Sequence, residues 1–268
     1  MRVRLPLFDP SDDPGPSFST LLRRLDVPDR LPERMDSQVP ANLRHGTTVV
    51  ALRFADGVVM AGDRRATEGN FIAHRAMQKV FPADRHSVVA IAGAAGPAVE
   101  MVRLFQTQLE HYEKVEGVAL SLEGKANQLG QMVRENLIMA MQGLVVVPLF
   151  AGYDIARAQG RIFSYDVTGG HYEEADHAAT GSGGRDARTS IKLAWREHMS
   201  RPDAVELAVR ALYEAADEDS ATGGPDLVRG IYPVVATVTQ SGYEQVPEVE
   251  VAERFAATIE RLREVNRP

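Results

Sequence analysis

The stretch Gly46-Thr47-Thr48-Val49-Val50-Ala51-Leu52 joins two parts of the chain that differ in character. Seven of the 15 prolines fall within residues 1–46, so long helices are not expected there. From Thr47 onward the pattern becomes regular and begins with a run typical of a β-strand. This layout predicts that the chain is cut between Gly46 and Thr47, which would leave Thr47 as a new N-terminal residue.

An N-terminal threonine carries both a hydroxyl nucleophile and an α-amine that can act as its base. The reference pKa of an α-amine, about 7.7–8.0, is close to what proton transfer at neutral pH requires. Gly46 suits a chain that cuts itself, because a residue without a Cβ does not crowd a bent backbone at the cut. Residues 1–46 are therefore predicted to be a removable propeptide, with a disordered tail as the alternative, and residues 47–268 the catalytic domain.

The overall composition excludes several classes of protein. With 44% hydrophobic and 25% charged residues, it is typical of a soluble globular protein, and no apolar run reaches the roughly 18–20 residues of a membrane span. The net charge of −7 argues against a nucleic-acid partner, which needs a basic face. The absence of Cys excludes disulfides and thiolate catalysis and fits a cytoplasmic protein. The histidines show no metal-ligand spacing, so we expect no metal and no organic cofactor.

After Thr47 the strand and helix patterns come in blocks. Strands are predicted over residues 47–54, 58–61, 79–81, 87–92, 145–153, 161–166 and 232–239, the first two joined by a turn at Ala55-Asp56-Gly57. Helices are predicted over residues 96–115, 120–144, 185–199, 203–216 and 251–265. Blocks of like elements favour an α+β fold with antiparallel sheets and helices on the outer faces, in one domain.

A threonine nucleophile needs a neutral amine, and two residues could provide the electrostatics. A nearby Lys⁺ would lower the pKa of the α-amine by repulsion, and a carboxylate would hold that lysine in place. Asp63 stands at the end of one predicted strand and Lys79 at the start of another. Only four of the 30 basic residues are lysines, and an arginine could not be tuned in this way.

Several stretches together resemble the proteasome β subunit. They are Gly46-Thr47-Thr48-Val49-Val50-Ala51, residues 58–67, Lys79-Val80, Ile91-Ala92-Gly93, residues 179–184 and residues 217–224. The resemblance runs from residue 46 to roughly 240. The long N-terminal segment and residues 220–230 make the chain most similar to the actinobacterial type.

The resemblance implies roles for residues at the matching positions. Thr47 would be the nucleophile, its amine the base, and Asp63 and Lys79 the pair that sets the electrostatics. The backbone N–H of Gly93 would hold the oxyanion. Three further residues would support the Thr47 amine: Ser182, Asp219 and Thr222. Family members more often carry serine at the position of Thr222, and threonine keeps the hydroxyl.

The resemblance also implies a substrate cleft. Its lining would be Ala66, Thr67, Met77, Ile91 and Ala95. Thr67 would hold the peptide backbone in an extended form, and the other four would shape the pocket for the residue before the cut. Because that pocket would be apolar, we expect cleavage after hydrophobic residues.

The implied fold is the four-layer αββα sandwich of N-terminal-nucleophile hydrolases. The implied assembly is a four-ring, 28-subunit barrel of α subunits and further β copies that degrades unfolded proteins, served by an ATPase ring through the α rings. Three alternatives stay open: a double-ring peptidase of the HslV type, a small-molecule amidase, and a non-catalytic structural subunit. The presence of Thr47, Asp63 and Lys79 argues against the last.

Overall fold

The computed structural model describes residues 46–69 and 71–265, and they form twelve strands and six helices. The strands are β1 (Thr48–Phe54), β2 (Gly57–Gly62), β3 (Ala66–Glu68), β4 (Phe71–His74), β5 (Val80–Asp84), β6 (Ser87–Gly93), β7 (Val146–Asp154), β8 (Gln159–Tyr165), β9 (His171–Glu174), β10 (His177–Gly181), β11 (Val234–Thr239) and β12 (Gly242–Gln245). The helices are α1 (Ala95–Glu116), α2 (Leu122–Glu135), α3 (Leu137–Met141), α4 (Gly184–Ala194), α5 (Arg201–Glu218) and α6 (Glu248–Val265).

Ten of these strands form two five-stranded antiparallel sheets. The first has the order β10-β1-β2-β11-β12, and the second has the order β5-β6-β7-β8-β9. Strands β3 and β4 form a separate hairpin. The hairpin predicted around Ala55-Asp56-Gly57 is confirmed, since β1 ends at Phe54 and pairs with β2 from Gly57 onward.

Three apolar layers hold the sheets and helices together. Successive residues of β1 alternate between two of them, as a strand buried on both faces requires. Val50 and Leu52 pack toward the layer shared with α4, α5 and α6, whereas Val49 and Ala51 lie in the layer between the two sheets. The third layer joins the second sheet to α1 and α2. The order is therefore helices, sheet, sheet, helices, and the predicted α+β sandwich of four layers is confirmed.

Two predicted helices are too long. The helix predicted over residues 120–144 is wrong because α2 ends at Glu135 and α3 follows as a separate short helix with no buried residue. The helix predicted over residues 185–199 ends at Ala194. There Trp195 turns into an extended conformation, and its indole N–H donates to the carbonyl of Arg53 at 2.9 Å.

Five strands were not predicted: β3, β4, β9, β10 and β12. The predicted propeptide lies, apart from Gly46, outside the described residues, so its removal stays a prediction.

Within the described ranges no helix combines the length and apolar character needed to cross a bilayer. In those same ranges, no three acidic or histidine side chains converge on a position suited to a metal ion.

Candidate active site

Three of the predicted site residues meet at one end of the first sheet. Thr47 lies directly before β1, and Asp63 directly follows β2, which pairs with β1 on one side. Ser182 follows β10, which pairs with β1 on the other side and places Gly181 opposite Thr48. Because antiparallel pairing brings the start of one strand beside the end of its neighbours, residues far apart in the sequence become adjacent here.

Asp63 and Lys79 form a buried ion pair next to Thr47. Lys79 Nζ lies 2.7 Å from Asp63 Oδ1, and the two side chains are 3% and 0% exposed. The same ammonium donates to the carbonyl oxygens of Arg65 at 2.5 Å and of Gly46 at 3.4 Å, which engages all three of its N–H donors. Burial lowers the pKa of Lys79 below its ordinary value; Asp63 opposes this effect and Arg65 adds to it. The Lys79 ammonium thus lies against the carbonyl oxygen of the Gly46–Thr47 peptide bond, the bond that self-cleavage would break.

Backbone donors hold Asp63 in place. Its Oδ1 accepts the N–H of Thr48 at 2.8 Å, and its Oδ2 accepts the N–H groups of Arg65 and Gly223, each at 2.9 Å. A carboxylate that only accepts hydrogen bonds is well matched to these donors. Asp63 thus ties the start of β1 and the end of β2 to the loop that follows α5.

A second polar cluster lies on the other side of Thr47. Ser182 Oγ accepts the N–H of Thr47 at 3.3 Å and donates to Asp219 Oδ2 at 2.5 Å. The hydroxyl of Thr222 donates to the same carboxylate oxygen at 2.6 Å. Burial alone would raise the pKa of Asp219, but the hydrogen bonds from Ser182 and Thr222 outweigh it, and this pKa lies below its ordinary value. Threonine at position 222 therefore makes the contact despite its additional methyl group.

Gly46 is tightly enclosed in the intact chain. Its carbonyl accepts the hydroxyl of Thr47 at 2.8 Å, and its N–H donates to Thr67 Oγ1 at 3.0 Å. A Cβ on residue 46 would lie 2.1 Å from the Cβ of Ala221 and 2.5 Å from its carbonyl oxygen. Both distances are far inside van der Waals contact, so glycine is the residue that fits this position.

The residues expected to line the substrate cleft divide between two adjoining cavities. Four of the five border a small cavity that also reaches Thr47 and Lys79: Ala66, Met77, Ile91 and Ala95. Thr67 borders a larger cleft of about 1170 Å³, which shares Ala66, Met77 and Ala95 with the small cavity. The sequence analysis missed three apolar residues of the small cavity: Phe81, Ala98 and Val99.

Gly93 ends β6 beside the same small cavity. Its φ is +114°, and a Cβ there would lie 2.0 Å from the carbonyl oxygen of Val145. The backbone therefore requires glycine at this position for conformational as well as steric reasons. The role of the Gly93 N–H as an oxyanion donor stays a prediction.

Arg65 is a site residue that the sequence analysis did not assign. Its backbone bridges the ion pair, with the N–H on Asp63 and the carbonyl on Lys79. Its guanidinium donates to the carbonyls of Ser220 at 3.1 Å and Thr222 at 3.2 Å. Backbone contacts leave no signal in the side-chain type, although the position of Arg65, two residues after Asp63, could have drawn attention to it.

Comparison with known proteins identifies the family of this chain. The model of the family described as "Proteasome subunit" matches residues 43–228. A protein of Acidimicrobium ferrooxidans named "Proteasome subunit beta" is 62% identical over 263 residues, which cover 98% of this chain and 96% of that protein. A "Proteasome subunit beta" of Streptomyces griseus is 61% identical over 217 residues, covering 81% of this chain and 77% of that protein. The chain belongs to the proteasome subunit family, and the resemblance predicted from the sequence is confirmed.

Proposed function

We propose that this chain is a catalytic β-type subunit of a 20S proteasome, in which Thr47 becomes the N-terminal nucleophile once residues 1–46 are removed. One observation carries the proposal. The Thr47 hydroxyl and the Lys79 ammonium both contact the carbonyl oxygen of Gly46, and Asp63 holds that ammonium. The nucleophile, the bond to be cut and the balancing charge are thus in one connected set of hydrogen bonds.

Self-cleavage begins with attack of Thr47 Oγ1 on the carbonyl carbon of Gly46. The negative charge develops on the carbonyl oxygen, which Lys79 contacts. The bond between Gly46 and the nitrogen of Thr47 then breaks, and this nitrogen takes up the proton that the hydroxyl has lost. The acyl group is left as an ester on Oγ1, and water hydrolyses it to a Gly46 carboxylate and a free Thr47.

The same atoms act again on a peptide substrate. The nitrogen of Thr47, already held by Ser182, is now an α-amine. It removes the hydroxyl proton as Oγ1 attacks the substrate carbonyl, and it returns the proton to the departing amine. Lys79 favours the neutral amine through repulsion between like charges, and the N–H of Gly93 holds the oxyanion. Water then hydrolyses the acyl-threonine ester and restores the hydroxyl.

The substrates are unfolded proteins, and the cut follows hydrophobic residues. This preference is supported by the apolar side chains of Met77 and Ile91 beside Thr47, and among the described residues Lys79 is the one charged side chain on that cavity. Thr67 holds the peptide backbone, a role supported by its contact with the Gly46 N–H in the uncut chain. Family membership supports assembly with α subunits and further β copies into the four-ring barrel, with an ATPase ring docking on its α rings.

The test is the intact mass of the chain produced with its α subunit, beside Thr47→Ala and Thr47→Ser. We expect the wild type to lose residues 1–46, Thr47→Ala to keep them, and Thr47→Ser, which retains a hydroxyl, to lose them more slowly. A wild-type chain that stays uncut inside assembled particles would instead identify a structural subunit. The mass of the whole particle distinguishes a four-ring barrel from the double ring of an HslV-type peptidase.

A further inference from the structure

Thr48, the residue after the proposed nucleophile, contacts one member of each polar cluster of the site, Asp63 in the first and Thr222 in the second. Its backbone N–H donates to Asp63 at 2.8 Å. Its hydroxyl accepts the N–H of Gly183 at 2.9 Å and lies 2.6 Å from the hydroxyl of Thr222. The side chain is completely buried. Thr48 therefore joins the loop that carries Ser182 to the loop that follows α5.

The direction of the hydrogen bonds follows from counting protons. Each hydroxyl can donate one proton, and the Asp219 carboxylate can only accept. Ser182 and Thr222 both donate to Asp219, and the Ser182 proton favours this carboxylate at 2.5 Å over the Thr47 carbonyl at 3.4 Å, so each hydroxyl can only accept from its N–H or O–H partner. Thr222 therefore accepts from Thr48, and Ser182 accepts from the N–H of Thr47. Two chains of hydrogen bonds, one from Thr48 and one from Thr47, thus converge on one carboxylate oxygen.

The space around this hydroxyl is closely filled. A Cβ on Gly183 would lie 2.7 Å from the hydroxyl oxygens of both Thr48 and Thr222. Glycine at position 183 thus allows its own N–H to approach Thr48. Loss of the Thr48 hydroxyl would leave the buried N–H of Gly183 without its acceptor and the Thr222 oxygen without its donor, which is costly.

We infer that Thr48 is a positioning residue, whose hydroxyl holds Ser182 and Asp219 in the correct place against the nitrogen of Thr47. This inference rests on the proposed function. In the cleaved chain that nitrogen is the α-amine, and an N–H engaged by Ser182 leaves the lone pair available for the Thr47 hydroxyl proton. Thr48 borders neither cavity of the substrate cleft. Its hydroxyl therefore affects turnover and leaves substrate binding unchanged.

Two opposite substitutions test this role in the assembled particle. Thr48→Val keeps the shape and removes the hydroxyl, whereas Thr48→Ser keeps the hydroxyl and removes a methyl group. With a peptide substrate cut after a hydrophobic residue, we expect the valine variant to lose roughly tenfold in kcat, with KM unchanged within about twofold. The serine variant should stay within about twofold of the wild type. Thr237→Val, a buried threonine of β11 in the same sheet, is the matched control.

Intact mass gives the fraction of chains with a free Thr47, and kcat is expressed per free Thr47. A valine variant that stays uncut beside a processed serine variant would support the role at the self-cleavage step. A valine variant as active as the wild type, or a serine variant as slow as the valine variant, would overturn it. Failure of the valine variant to assemble would also overturn it, since the hydroxyl would then serve folding.

Thr47→Ala in the same series separates this inference from the proposed function. An active Thr47→Ala particle would refute the proposal that Thr47 is the nucleophile, whatever the activity of the Thr48 variants. If Thr47→Ala is inactive while Thr48→Val matches the wild type, only the role of Thr48 fails.

Discussion

Two lysine–aspartate pairs are buried in the described fold, and they differ in what surrounds them. Lys79 and Asp63 lie beside Thr47 at the end of the first sheet. Lys125, on α2, pairs with Asp84 at the end of β5, and both of these side chains are also largely buried. By burial and ion pairing alone, the two pairs could not be told apart.

The remaining hydrogen bonds of each pair show the difference. Asp84 also accepts from the hydroxyl of Ser87 at 2.6 Å and the N–H of His86 at 3.0 Å, so its pair fastens α2 to the turn between β5 and β6. Lys79 instead contacts the carbonyl of Gly46, next to the hydroxyl of Thr47, the proposed nucleophile. A buried ion pair is thus a functional signal only when a reactive group and a cavity lie against it.

The largest difference in activity between the two pairs is expected when each lysine is replaced by arginine, which keeps the charge. Lys79→Arg should slow self-cleavage and peptide hydrolysis by about 10³-fold, because the larger planar guanidinium cannot occupy the ammonium position and its pKa cannot be tuned. Lys125→Arg should keep activity within about twofold. The measurements are the rate of loss of residues 1–46 by intact mass and kcat for a peptide. Equal activity of the two variants would contradict the assignment of the Lys79 pair to catalysis and the Lys125 pair to structure.

A smaller effect on self-cleavage is expected from substitution of Gly46. Its carbonyl accepts a hydrogen bond from Lys79, and the Lys125 pair has no such contact beside a reactive group. Gly46→Ala places a Cβ against Ala221 and should slow self-cleavage roughly ten- to hundredfold, as overpacking strain of this kind implies. The chain that results from cleavage is identical to the wild type, so each processed subunit should have normal kcat. Gly96→Ala, where a Cβ meets nothing within 4 Å, is the control. Unchanged processing of Gly46→Ala would contradict the steric role of Ala221.

The sequence predicted the parts of the fold whose periodicity reflects burial. Strand β1 and helix α1 were found because their apolar residues face filled layers. The separation of α3 from α2 could not be predicted, because Ile138 and Met141 continue the helical apolar pattern although they are 71% and 81% exposed. The short hairpin of β3 and β4 could not be predicted either. All four residues of β4 are exposed, so no buried face imposes an alternation of apolar and polar residues on its sequence.

For the candidate site, the sequence could identify side chains and not backbone contacts. Thr47, Asp63 and Lys79 were named from residue type and motif, and the structure brings them together. Arg65 and Ala221 were missed because they act mainly through main-chain atoms or close approach, which any side chain type could in principle supply. The scarcity of lysine did not single out Lys79, because of the other three lysines Lys125 is also buried in an ion pair and Lys114 and Lys192 are exposed.

The smallest effect on activity is expected from breaking the structural pair. Lys125→Met leaves Asp84 without its cation, which should cost about 3 kcal/mol and lower the melting temperature by roughly 6–12 °C, while kcat stays within about twofold. Lys114→Met removes an exposed pair with Glu110 on α1 and should leave both quantities unchanged, since exposed pairs contribute little. A stable but inactive Lys125→Met particle would show that the second pair also serves catalysis. A less stable Lys125→Met particle that keeps its activity would assign the Lys125 pair to folding. The Lys79 pair would then be the one of the two pairs that contributes to catalysis.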